Sequence, residues 1–283
     1  MYIIYPCMYN DLFKVKKEYE EEYKIAKGLG FDVLLFNYDD YSLIKKYLIT
    51  NLSQKLTKVC SAVYRGNIMS AEFYEKFYND LLKQNIKLIN SPEEYKNTLH
   101  FNISYEKLKS YAVKTLFFKP NEQIDFINVK KQMTSWVMED YMKSIDVKQS
   151  ITTPLCEDTK LENELLEDFR QQFNNNGGYF TIKGICLKEN IDYQWDKSIH
   201  SYRAFYYKGK LLTIITTGDN LFDIVPQDFA NKMPILNSNL YSIDFVKTKD
   251  DKIYVIDTND AQISSIHNKE DLNEFYKNLY LYK

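Results

Sequence analysis

The sequence predicts a mixed α/β and α+β protein, with a small α/β domain over residues 1–100 and a larger α+β body behind it. Three observations predict this. The first hundred residues alternate short apolar strands with amphipathic helices. Residues 101–190 carry isolated strand candidates around one charged helix. The C-terminal part is an antiparallel run broken by short turns.

The elements follow in order. After the apolar start, residues 12–27, "LFKVKKEYEEEYKIAK", place Leu12, Val15, Tyr19, Tyr23 and Ala26 at steps of three and four, which predicts one amphipathic helix. "GLG" ends it, because glycine tolerates the left-handed cap conformation. "FDVLLFNYD" and "KVCSAVYRG" read as buried strands. "SAEFYEKFYNDLLKQN" reads as a helix capped by Ser70, and "IKLIN" as a strand. "SPEEYKNTL" starts another helix, with Ser91 as cap and Pro92 in its first turn. Further on, "TLFFKP", "SWVMEDYMKS" and "YFTIKGICLK" are strand candidates, and "LENELLEDFRQQF" is a charged helix. "SYRAFYYKGKLLTIITT" predicts a hairpin with a Lys-Gly turn after Tyr207, a helix follows near "PQDFANKM", and "YSIDFVKTKDDKIYVIDTND" predicts a second hairpin.

Composition excludes several classes. A formal net charge of -2 and a pI near 6.0 argue against nonspecific nucleic-acid binding, which needs a basic surface. No apolar run reaches membrane-spanning length and no secretory signal pattern opens the chain, so a cytoplasmic protein is expected. Cys7, Cys60, Cys156 and Cys186 form no C-x-x-C pair, and His100, His200 and His267 share no metal-ligand spacing. Neither G-x-x-x-x-G-K-[ST] nor G-x-G-x-x-G occurs, and there is no nucleophile elbow.

The acids of the last hairpin carry the chemistry. With the loop at "TKDD", Lys247 pairs with Lys252 and Asp244 falls opposite Val255, so Asp244, Asp257 and Asn259 share one face, Asp244 lying diagonal to Asp257. Oxygen ligands of this kind suit magnesium. From spacing alone residues 257–260 also read as the turn that ends a strand, with Asp and Asn bonding their own backbone, and a loop longer by one residue would destroy the shared face. Arg203, on a strand face with Ser201, Phe205 and Tyr207, is either a structural ion pair or a fork for a phosphate or carboxylate. Lys143 and Lys183, expected on strands with apolar neighbours, either snorkel or serve a buried partner.

The acid-rich helix with "GFDVLLFNYD", the stretch "AVYRGNIMSAEFYEKFYNDLLKQNIKLINSPEEYK", and "VMEDYMKS", "SYRAFYYKGKLL" and "YSIDFVKTKDDKIYVIDTNDAQIS" in that order resemble a bacterial and phage branch of the ATP-grasp superfamily, over nearly the whole chain. The resemblance implies a pre-ATP-grasp domain over residues 1–100 and a two-lobed ATP-grasp fold over 101–283, with lobes at about 101–187 and 188–283. It implies ATP and Mg2+ as cofactors, with Asp244, Asp257 and Asn259 as metal ligands and Arg203 at the transferred phosphate. Lys143 and Lys183 would contact phosphates or the adenine edge. Arg65 of "YRGN" would hold the acceptor carboxylate.

Two departures stand out: Glu139 occupies a position where this branch is expected to have lysine, and "IDVKQSITTPLCEDTK" lacks the glycine-rich phosphate flap, for which Lys148 could compensate. The implied activity is an ATP-dependent carboxylate-amine ligase working through an acylphosphate. Its substrate would be a small molecule, peptide or protein terminus. The alternatives are a kinase acting on a small molecule or RNA end, and a nucleotide-binding module without catalysis.

Overall fold

A computed structural model describes residues 1–39, 41, 49–52, 56–142, 150–152, 159–175, 182–191, 200–217 and 225–283. Among these, thirteen strands form three sheets.

The N-terminal sheet is built on β1 (Tyr2–Met8), which pairs in parallel with β3 (Asp32–Phe36) on one side and β4 (Cys60–Tyr64) on the other; β5 (Ile86–Leu88) extends it beyond β4. Parallel strands need crossovers, and two of the helices in the intervening chain are Glu20–Gly28 and Ala71–Leu82. The first ends where Gly30 takes φ 86°, as "GLG" predicts. Ser70 caps the second, accepting from the Phe73 amide at 3.2 Å. Ser91 opens the Pro92–Leu99 helix with a full capping box to Glu94, a motif whose cap contributes about 1 kcal/mol.

The helix expected over residues 12–27 is shorter than its periodicity suggests. Asp11–Val15 is instead strand β2, antiparallel to the end of β1, and a 3-10 turn over Lys17–Tyr19 precedes the helix. The cause lies in β1, whose pairing with β4 covers Tyr2 to Ile4 while Cys7 and Met8 run on. Their backbone groups need partners, and β2 supplies them.

The second sheet has the order β6-β9-β7-β8, from β6 (Thr115–Phe118), β7 (Trp136–Glu139), β8 (Ser150–Thr152) and β9 (Ile185–Glu189), all antiparallel. Its apolar face buries Trp136, Met138, Ile185 and Leu187 against Leu166 and Phe169 of the Lys160–Asn175 helix. Alternation therefore turns Glu139, Cys186 and Lys188 to the other face. The strand expected from "YFTIKGICLK" begins only at Ile185, so Lys183 precedes it rather than lying on it.

The third sheet, β11-β10-β12-β13, joins β10 (His200–Tyr207), β11 (Lys210–Thr216), β12 (Leu240–Lys247) and β13 (Ile253–Asp260). Lys208 and Gly209 turn the first hairpin with φ of 49° and 75°, both positive as a type I′ turn requires. The C-terminal helix, Lys269–Tyr282, lies in an apolar cluster that joins Ile3, Tyr5 and Ala26 to Phe205, Leu212 and Ile215. No helix among the described residues is long and apolar enough to cross a membrane.

Candidate active site

The site is a row of side chains across the third sheet. In the ladder Arg203 stands opposite Asp244, and Asp244 stands opposite Asp257. The hairpin register differs from the expected one. Lys247 pairs with Ile253, not Lys252, so the loop is one residue longer than predicted and Asp244 would fall opposite Ile256. A β-bulge between Asp244 and Phe245 absorbs that residue, and Asp244 meets Asp257 directly rather than diagonally. Pairing of Ser242 with Asn259 puts Asn259 on the same face, one row along. The shared face thus survives for a different reason from the one the loop suggested.

Arg203 grips Asp244 with a planar fork, Nε to Oδ1 at 2.6 Å and Nη2 to Oδ2 at 2.8 Å. Burial works against the guanidinium charge, but Asp244 outweighs it and raises the Arg203 pKa. Asp257 is 3% exposed, and its Oδ1 accepts from the Thr258 amide at 2.8 Å.

Lys188 is the residue that sequence reasoning missed. Its ammonium, on β9, sits 2.6 Å from Glu139 Oε2 and 3.8 Å from Asp257 Oδ2, donates to the Ile256 carbonyl at 2.8 Å, and lies 4.5 Å from the Phe101 ring centroid. Ile256 is the extra residue of the bulge, so Lys188 docks the second sheet onto the irregularity that aligns the acids. The signal was present in "GICLKEN", where a lysine alternates with Cys186 inside an apolar strand.

Asp140, next to Glu139, ties the end of β7 to the start of β9. Its Oδ1 accepts from the amides of Tyr141, Lys183 and Gly184 at 2.7 to 2.9 Å, while its buried Oδ2 has no hydrogen-bond partner among the described residues. Burial pushes its pKa up to about 6 against the pull of the three amides. Burial likewise pushes His100, at the joint before the Phe101–Leu108 helix, down to about 4.

The other expected residues are placed apart from this row. Lys183 Nζ is 3.0 Å from Glu72 Oε1, in the first turn of the Ala71–Leu82 helix. Arg65 is 2% exposed and its Nε lies 2.5 Å from Glu22 Oε1; its other groups donate to Glu22 Oε2 and to the carbonyls of Ala261 and Ser264. The carboxylate that Arg65 meets here is Glu22, not an open substrate position. Lys143 and Lys148 lie outside the described residues.

A divalent cation can be tested against the donor set. Asp244, Asp257 and Asn259 offer hard oxygens from adjacent strands, which fits magnesium. Among the described residues no three His, Cys, Asp or Glu side chains gather as a metal site, so the protein would supply few ligands and leave the rest to phosphate and water, as magnesium sites commonly do.

Comparison with known proteins agrees with this architecture. The chain superposes over its full length on D-cycloserine synthetase DcsG, with a TM-score of 0.67, 10% identity and 99% of that chain covered. Macrocyclase MdnC from Microcystis aeruginosa MRC, solved bound with precursor peptide MdnA, gives 0.60 at 14% identity, covering 99% of this chain and 100% of that one. D-alanine–D-alanine ligase from Bacillus anthracis gives 0.58 at 12% identity, covering 99% and 94%. Such low identities show a common fold.

In sequence, 180 residues are 26% identical to a protein of Buchnera aphidicola subsp. Baizongia pistaciae (strain Bp) named as a putative chaperone PpiD. That match takes in 51% of this chain, which spans about a third (35%) of the length of that relative. Residues 122–279, more than half of the chain and including the row of Arg203, Asp244 and Asp257, match a family described as an ATP-grasp domain, family 3 of its clade. The chain belongs to that ATP-grasp family.

Proposed function

We propose that this protein is an ATP- and magnesium-dependent ligase that activates a carboxylate as an acylphosphate and passes the acyl group to an amine. The observation that carries the reading is the row of half-buried Arg203 and buried Asp244 and Asp257, one forked cation and two facing carboxylates on one sheet face. Asp244, Asp257 and Asn259 would hold magnesium, which when bound offsets negative charge on the phosphates.

Arg203, fixed by Asp244, would direct its guanidinium charge at the phosphoryl group in transfer. The substrate carboxylate oxygen bonds to the γ-phosphorus as the bond to ADP breaks. The amine nitrogen then bonds to the acyl carbon as inorganic phosphate departs, and the amine loses a proton. No covalent enzyme nucleophile is needed.

Lys183 would reach phosphate by exchanging Glu72 for it, and Lys143 and Lys148 are assigned to the nucleotide on the resemblance alone. Arg65, engaged with Glu22 and two carbonyls, is better suited to bracing the wall of the site than to holding the acceptor. The division at residue 100, with lobes at about 101–187 and 188–283, belongs to the same proposal. Similarly folded structures include a synthetase of a small molecule and a macrocyclase bound to a peptide, so both substrate classes are to be tried.

A second reading is favoured by one observation: Glu139 stands where lysine is expected and pairs with Lys188. It is a nucleotide-binding module without turnover. The deciding experiment measures ADP release with Mg2+, ATP and pools of amino acids and peptides, followed by mass spectrometry. A new amide supports the ligase, a stable phosphorylated product points to a kinase, and nucleotide binding without turnover across the pools supports the module.

A further inference from the structure

Glu139 and Lys188 come from neighbouring strands and share the face that meets β13. The Lys188 ammonium has three N–H donors. Two of its contacts are Glu139 Oε2 at 2.6 Å and the Ile256 carbonyl at 2.8 Å. Asp257 Oδ2, at 3.8 Å, is within ion-pair range but beyond a hydrogen bond. All four groups are held by strands, and of the two carboxylates it is Glu139, the nearer, that holds the ammonium.

An ammonium hydrogen-bonded to Asp257 would occupy lone pairs that a divalent cation needs. A lysine at position 139 would put a second positive charge beside Lys188 and leave Asp257 as the carboxylate nearest to it of these two.

We propose that Glu139 is a positioning residue that holds the Lys188 ammonium back from Asp257 and so keeps the Asp257 carboxylate available to a divalent cation. The inference rests on the magnesium reading of Asp257. It gives the departure from the expected lysine a function: the position carries an acid that neutralises Lys188 while Lys188 docks the bulge.

The test uses the full chain with manganese as the probe, titrated by electron paramagnetic resonance in the presence of a non-hydrolysable ATP analogue. Glu139→Gln is expected to weaken manganese binding by about tenfold or more, and adding Lys188→Met to the same chain is expected to restore it to within about threefold. Binding by Glu139→Gln within about twofold of the parent overturns the proposal, as does a loss that persists in the double variant.

Because Glu139→Gln strips a partner from a buried ammonium, the double variant is also compared with Lys188→Met alone. Equal affinities support the proposal. A further drop means that Glu139 touches the ion itself and overturns it. Asp257→Asn separates the two readings. If it leaves manganese bound, the magnesium assignment falls and this inference with it. If it abolishes binding while Glu139→Gln changes nothing, only this inference falls.

Discussion

Arg203 and Asp244 face each other directly across β10 and β12, joined by two hydrogen bonds of 2.6 and 2.8 Å in a planar fork. A lysine keeps the charge but loses the fork. Arg203→Lys is therefore expected to lower ATP turnover by about 100-fold, with the thermal midpoint shifted by only a few degrees. Arg203→Ala should abolish turnover and also destabilise the fold, by about 3 kcal/mol, because Asp244 is left facing Asp257 without its counter-charge. Steady-state kinetics and thermal denaturation on the same preparations check both.

Asp257→Ala removes one proposed magnesium ligand and the nearer carboxylate to Lys188 after Glu139. Turnover should vanish at low magnesium and not return when magnesium is raised, while circular dichroism stays that of the parent. Full activity in both Asp257→Ala and Arg203→Ala would sink the assignment of the site.

Glu22 and Arg65 form a buried ion pair joined by the Tyr276 hydroxyl, which donates to Glu22 and bonds to the Tyr5 hydroxyl. Breaking one partner of such a pair costs about 3–5 kcal/mol, so Glu22→Gln and Arg65→Met should each lower the thermal midpoint by roughly 10 °C. If Arg65 braces rather than binds, both variants lose activity in step with stability. A rise in KM confined to Arg65→Met, with the midpoint intact, would restore Arg65 to substrate binding.

Asp260 is fully buried, and burial pushes its carboxyl up to about 7 despite hydrogen bonds from Asn90 and Gln262. A folded-state pKa above the unfolded value of about 3.9 means that the folded chain binds the extra proton, so stability falls as pH rises between the two values. The slope from this group approaches about 1.4 kcal/mol per pH unit. Asp140, raised to about 6, acts in the same direction. Asp260→Asn, an amide in place of the neutral acid, should flatten the fall in stability from pH 4 to 7 measured by chemical denaturation. An unchanged slope would show that Asp260 is ionised throughout.

Local rules were legible where one or two residues decide the backbone. Lys208 and Gly209 make their turn because both take positive φ, and Ser91, Pro92 and Glu94 start a helix whatever surrounds them. Leu12 and Val15 fit a helical period yet lie on a strand, because that strand forms only when the overhang of β1 needs pairing. Lys188 is not legible in the same way, because the start of β9 at Ile185 is not marked by neighbouring residues and a shift of one residue there exchanges the faces.

By itself the sequence determined the α/β beginning, the antiparallel end and the set of acids near residue 257, because strand period, caps and turns are properties of neighbouring residues. Only the tertiary structure decided that Asp244 meets Asp257, through a bulge at Ile256 that corrects a loop one residue longer than expected. It also decided that Lys188 belongs to Glu139, and Arg65 to Glu22. These pairings join residues far apart in the chain, and burial fixes them by requiring each charge to find a partner.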